Sequence, residues 1–235
     1  MSNNKFGLSN WSEDNNKFTK RDDKAFDGPR IAFLKLKEGN NVVRVITDPY
    51  KYFSIDFKND PEQKGFGKRI KCSEPLESCP TKETGWRQKG KYYIGVIDRT
   101  DSSVKILDMG SLIYDGIKTL RDDIEWGDPG SYDLTIRKNS KMPPANFYAI
   151  VPRGKAPLSE SDLKLKSDAE ATLIPSLERL SAPLAADKVK ALLSEAGYTG
   201  GRIAPLPVSK KSNGDAKLVD STDDDYSFAD ASAPN

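Results

Sequence analysis

The chain of 235 residues contains no histidine and only two cysteines. Without an imidazole, the usual serine–histidine triad and histidine acid–base chemistry are closed to it, although carboxylates and lysines remain as catalytic groups. The two sulfurs, Cys72 and Cys79, have six residues between them. Alone they do not complete the four-ligand Cys/His set typical of structural zinc, and adding Glu74 or Glu77 would make an unusual structural site. The expectation is therefore no cofactor, with Cys72 and Cys79 the only candidates for zinc. A disulfide is disfavoured in a reducing compartment, which leaves two free thiols in a loop. Missing too is any apolar run near the roughly 18 residues that cross a bilayer, and the opening MSNNKFGLSNWSEDNNKF has no apolar signal-peptide core. These absences predict an intracellular soluble protein that does not touch a membrane.

Charge is abundant. Charged residues make up 31% of the chain against 36% for the apolar set, a balance that predicts polar ends around a smaller core. The net charge of +2 hides an asymmetry, because residues 220–235 hold five aspartates and no Lys or Arg, leaving 37 basic against 30 acidic groups in residues 1–219. A basic body with an acidic tail points to a polyanion-binding surface and a segment that competes for it. The alternative is a tail that only solubilises.

Four regions follow from the pattern. Residues 1–30 read as a mobile N-terminal arm and residues 31–151 as a strand-rich core. Residues 152–198 form a helical extension, and residues 199–235 a disordered linker and acidic tail. Within the core, Ile31–Lys37 alternates like a strand and the turn at Glu38–Asn41 leads to a second strand over Asn41–Thr47, together a first hairpin. A second hairpin runs over about Lys91–Arg99 and Val104–Met109, broken by Thr100-Asp101-Ser102-Ser103. Alternation puts Tyr92, Ile94, Val96 and Asp98 on one face, with Tyr93, Gly95, Ile97 and Arg99 on the other. Ser111–Asp123 reads as a helix capped by Ser111, with Leu112, Ile113, Ile117 and Leu120 as its inner stripe. Strands follow at about Ser131–Lys138 and Phe147–Val151. Beyond them, Ser159–Leu173 and Ser176–Leu180 have helical character, and Ala185–Ala196 is an amphipathic helix.

Two stretches interleave rings with cations. Trp86, Arg87, Lys89 and Lys91 lead into Tyr92, while Tyr50, Tyr52 and Phe66 lie among Lys68, Arg69 and Lys71. Rings that accept base stacks beside groups that neutralise phosphate are the chemistry of single-strand binding, which tolerates any sequence because every base has a π-face. The plainer alternative makes these tyrosines ordinary sheet residues, since strands favour tyrosine.

In order along the chain, NNVVRVITDPY, KYYIGVIDRTDSSVKILDMGSLIYDGI and GDPGSYDLTIRK, followed by the aspartate-bearing tail, give a sequence that resembles the phage single-stranded-DNA-binding proteins of the T-even helix-destabilising type. The resemblance covers about the middle half of the chain. It implies a mainly β, oligonucleotide-binding (OB-fold-like) barrel with added short helices, one that coats single-stranded DNA during replication, recombination and repair in the cytoplasm of an infected bacterial host. It implies no catalysis, self-association through the arm, and recruitment of replication and recombination proteins through Asp220, Asp223, Asp224, Asp225, Tyr226, Phe228 and Asp230. Tyr92 carries over as the principal stacking ring, with Arg87, Lys89 and Lys91 as phosphate contacts. Arg99, Arg137 and Lys138 complete the expected DNA-binding set. The chain departs from the family at its zinc subdomain, where one histidine and three cysteines are reduced to Cys72 and Cys79.

Two other classes compete with this reading. One is a non-catalytic interaction module whose β-domain binds an acidic partner protein. The other is a carboxylate-dependent nuclease built on Asp98, Asp101, Asp108 and Asp133 around Mg²⁺, although turns favour aspartate for its own backbone hydrogen bonds.

Overall fold

The computed structural model describes residues 7–8, 31–62 and 67–203. The β-branched and aromatic runs become strands β1 (Gly7–Leu8), β2 (Gly39–Val45), β3 (Tyr50–Phe57), β4 (Lys68–Lys71), β5 (Lys89–Asp98), β6 (Ser103–Met109), β7 (Tyr132–Lys138) and β8 (Tyr148–Lys155). Among the described residues three α-helices join them: α1 (Ser111–Asp122), α2 (Glu160–Ser181) and α3 (Ala186–Glu195). The protein is mainly β, and its strands form one antiparallel sheet in the order β1-β3-β5-β2-β7-β8, with β4 on β3 and β6 on β5.

β5 is the branch point of this sheet. Residues 89–93 pair with β3 and residues 96–98 with β2, while the opposite edge carries β6 along residues 92–98. Alternation along β5 follows the expected period. Tyr92, Ile94 and Val96 enter a core with Val43, Leu107, Met109, Leu134 and Ile136, closed by Ile113, Tyr114 and Ile117 of α1. Ile97, on the other face, packs with Ile46, Tyr50, Ile106, Leu173 and Leu177 beneath α2. A third cluster, around Phe53, Phe57, Ile70 and Cys72, is covered by Val189 and Leu193 of α3.

The first hairpin is not formed. Residues 31–37 contribute a single parallel bridge, Phe33 opposite Ile106, held by Leu34 N–H to Ile106 O and Ile106 N–H to Ala32 O, both 2.9 Å. β2 pairs instead with β5 and β7. The reason is local: Gly39 adopts φ +86°, and the Asn41 side chain accepts from Lys37 N–H at 2.9 Å and donates to Lys37 O at 2.9 Å. A side chain thus satisfies backbone groups that a hairpin ladder would have used. The same amide donates to Ile136 O at 3.1 Å, fixing β2 against β7.

Three smaller differences concern the helices. The N-cap of α1 is Gly110, without a side-chain cap, so Ser111 is the first helical residue. Leu112 is 46% exposed, and Tyr114 replaces it in the buried stripe. α2 runs unbroken through Pro175 because Leu173, Ser176 and Leu177 on either side of it are buried, so tertiary packing outweighs one lost helical hydrogen bond. The expected boundary at residue 151 falls inside β8, which continues through Pro152 to Lys155; an edge strand accepts proline. Among the described residues, no helix is long and apolar enough to cross a membrane.

Candidate nucleic-acid interface

The cations expected beside Tyr92 share a face with Tyr93 instead. Lys89, Lys91 and Tyr93 alternate on β5, and the register sets them against Ser54, Tyr52 and Tyr50 of β3. β4 adds Arg69 and Lys71 opposite Asp56 and Ser54, and β6 adds Asp108 opposite Tyr93. On this face Tyr52 stacks on Tyr93, with ring centroids 4.3 Å apart and planes 6° from parallel. Phe33 meets the edge of Tyr93 at 6.0 Å and is 45% exposed. The result is a row of three rings, Tyr52–Tyr93–Phe33, buried at one end and open at the other.

Charges border the row. Tyr52 donates its hydroxyl to Asp108 at 2.8 Å, and Arg69 bonds the same carboxylate. Asp56 takes Lys89 at 3.0 Å and Lys91 at 3.4 Å. Burial pushes the Asp56 carboxyl up, but the hydrogen bonds and charges of Lys89 and Lys91 outweigh it and hold the group ionised below its ordinary range. Burial lowers the Lys91 ammonium, as does the nearby Arg69 charge. Arg69 is raised, because attraction to Asp108 overcomes the cost of its own burial. Three cations, Arg69, Lys89 and Lys91, therefore face two carboxylates, Asp56 and Asp108. Lys71 is turned toward the end of α2, donating to Leu180 O at 2.9 Å.

Several expected site residues lie elsewhere. Tyr92 is 8% exposed and stacks on Tyr114 with centroids 3.7 Å apart, inside the core beneath α1. It is a packing residue because it alternates with Tyr93 on β5 and so faces away from Lys89 and Lys91. Tyr50 is buried beneath α2, and burial raises its phenol to about 12. Tyr52 is 1% exposed, so it supports the row from beneath and presents no ring to solvent. Trp86 is half-buried against the Phe57–Ile70 cluster, its indole N–H donating to Lys58 O at 3.0 Å. Arg87 is exposed. Lys68 lies opposite Phe57 and meets Glu195 of α3 at 3.7 Å.

Arg99 is held between two carboxylates. Its guanidinium bonds Asp133 at 3.0 Å and Asp162 at 2.6 Å, and Asp133 also takes Arg44 at 2.6 Å. Asp162 is at the same time the N3 residue of the α2 capping box with Ser159. Arg99 therefore ties the start of α2 to the sheet, spending four of its five N–H donors on two carboxylates. Arg137 and Lys138 lie on β7, two strands from β5 in sheet order, bonded to Asn40 and to Leu36 O. Phe66 and the tail residues Asp220, Asp223, Asp224, Asp225, Tyr226, Phe228 and Asp230 lie outside the described residues, as does nearly all of the arm.

The carboxylates of the nuclease alternative are dispersed over separate ion pairs. Asp98 and Asp101 both bind Lys105, Asp108 binds Arg69, and Asp133 binds Arg44 and Arg99. Cys72 and Cys79 are buried free thiols that share the Thr81 hydroxyl. No group of three or more Cys, His, Asp or Glu side chains that could hold a metal occurs among the described residues.

Phe33 and Tyr93 are the residues that sequence reasoning passed over. For Tyr93 a signal existed: the period of two places it, not Tyr92, on the face of Lys89 and Lys91. Phe33 carried none, since its position depends on a bridge to Ile106, more than seventy residues away. Compared with protein-family models and with curated protein sequences, the chain matches none.

Proposed function

We propose that this protein binds single-stranded DNA without sequence preference, coating it during phage replication, recombination and repair, and that it does so without catalysis. One observation carries the reading: the ring row ending in the half-exposed Phe33 shares a sheet face with Arg69, Lys89 and Lys91. A base stacked on Phe33 would extend the row, and phosphates on either side would find cations whose present partners, Asp56 and Asp108, they outnumber. Such a stack is worth about 1–3 kcal/mol per base. In this reading the branched antiparallel sheet is an OB-type barrel elaborated by α1–α3, an architecture that presents a sheet face to single strands. In this reading the acidic tail recruits replication and recombination proteins, neighbouring copies associate on DNA through the arm, and the site of action is the cytoplasm of the infected bacterial host.

The test is a salt-titrated binding measurement with oligo-dT and a matched duplex, followed by tryptophan fluorescence, comparing the wild type with Phe33→Ala. Oligo-dT should bind tightly at low salt, weaken linearly in log–log form as salt rises, and lose roughly tenfold or more in affinity in the variant. Preference for the duplex, or indifference to salt, would reject the proposal.

A further inference from the structure

The chain's two cysteines are buried together. Cys72, at the end of β4, and Cys79, between two short 3₁₀ turns, each place their sulfur against one hydroxyl, Thr81 Oγ1, at 3.4 Å and 3.1 Å. The sulfurs therefore cannot be farther apart than the sum of these two distances, and their mutual interaction pushes the Cys72 thiol up and the Cys79 thiol down. Cys79 also accepts from the Ser73 backbone N–H at 3.2 Å. These bonds favour a thiolate at Cys79 and a retained proton at Cys72. There is no other cysteine in the chain for either to meet.

We propose that Cys72 and Cys79 are a peroxide-responsive dithiol that closes to an intramolecular disulfide, with Cys79 as the attacking sulfur and Cys72 as the resolving one. The Cys79 thiolate attacks one peroxide oxygen and breaks the O–O bond. The result is a sulfenic acid, and the other oxygen leaves as hydroxide, which takes up a proton to become water. Cys72 then gives its proton to the sulfenic oxygen as its sulfur bonds to Cys79, releasing a second water. Two thiols and one peroxide become one disulfide and two waters, so the two sulfurs supply the two electrons that peroxide accepts.

Bridging removes the Thr81 hydroxyl from between the sulfurs, and that hydroxyl also accepts from Gln88 Nε2 at 3.0 Å. Thr81 O in turn takes the Thr84 hydroxyl at 2.6 Å, and Thr84 Oγ1 takes the Trp86 N–H at 3.2 Å. The oxidation state is thus felt at Trp86 and at the start of β5. The inference is independent of DNA binding.

The test treats the folded protein with hydrogen peroxide at neutral pH, quenches with an alkylating reagent and maps the peptides by mass. Both thiols should disappear together, the Cys72–Cys79 peptides should be lighter by two hydrogens with no added oxygen, and dithiothreitol should restore both thiols. Trp86 emission should change in step with bridging. In Cys72→Ser, dimedone should trap a sulfenic acid on Cys79. In Cys79→Ser, the remaining thiol should react at least about tenfold more slowly. Oxygen accumulating on Cys79 while Cys72 stays alkylatable, bridges between chains, or thiols that persist in the folded protein under conditions that oxidise the guanidinium-unfolded chain would each overturn the proposal. The wild-type map decides the question even if a variant does not fold.

Discussion

Tyr92 and Tyr93 are adjacent and identical in chemistry, yet they belong to different parts of the protein's work. Tyr92 lies flat on Tyr114 in the core beneath α1, while Tyr93 lies flat on Tyr52 and edges Phe33 among Arg69, Lys89 and Lys91. The pleat of β5 is what separates them. A ring beside basic residues in sequence is therefore a poor guide to a stacking platform. Face and register decide whether ring and cation meet.

The contrast can be broken most severely at Tyr92. Tyr92→Ala should cost about 3–5 kcal/mol of unfolding free energy in a denaturant titration, as truncation of a large buried ring does. DNA affinity measured on the folded fraction should stay near that of wild type. Tyr93→Ala should show the opposite balance, and equal stability losses in the two variants would erase the distinction. Asp162→Asn sharpens the separation of structural cations from those of the Tyr93 face. The Arg99 hydrogen bonds hold the Asp162 carboxyl below its ordinary range against a smaller cost of burial. A depressed carboxylate stabilises the fold above its unfolded pKa of about 3.9, and that contribution is lost as pH falls through the folded value. The variant should lose about 2–3 kcal/mol at neutral pH and show a flatter acid-unfolding limb, with DNA affinity unchanged. The smallest effect belongs to Lys89→Gln, which should lower the slope of log affinity against log salt by about 0.7 with little change in melting temperature. An unaltered slope would remove Lys89 from the proposed interface.

Much of this fold was readable before any coordinates. The hairpin of β5 and β6 and helices α1 and α3 lie within two residues of their expected bounds, because period-two and helical patterns there agree with local turn chemistry. What sequence could not supply was partnership. The first hairpin failed because Asn41 satisfies Lys37 locally and β2 is claimed by β7. Arg99 looked like a phosphate contact because nothing near it in sequence announces Asp133 or Asp162, 34 and 63 residues away. Arg69, Lys71, Lys89 and Lys91 stood out in the sequence and share one sheet face, whereas the open ring beside them did not stand out, since Phe33 acquires its neighbour only through tertiary contact.

Gly95 sits where β5 changes partner from β3 to β2, and its lack of a side chain has a use beyond the turn chemistry of glycine. A Cβ there would stand 2.6 Å from Leu173 Cδ2 of α2 and 2.9 Å from Thr47 Cγ2, while the Gly95 N–H donates to Thr47 Oγ1 at 2.8 Å. The helix rests directly on the strand's backbone, so neither branch of the sheet can separate from β5 without unseating α2. Amide exchange should therefore reach its slowest values around residues 94–97, through opening of the whole molecule and not of a single hairpin. The strand that carries Lys89, Lys91 and Tyr93 at one end would then be the last to open, giving the face proposed to meet DNA the rigidity of the molecule's most protected element.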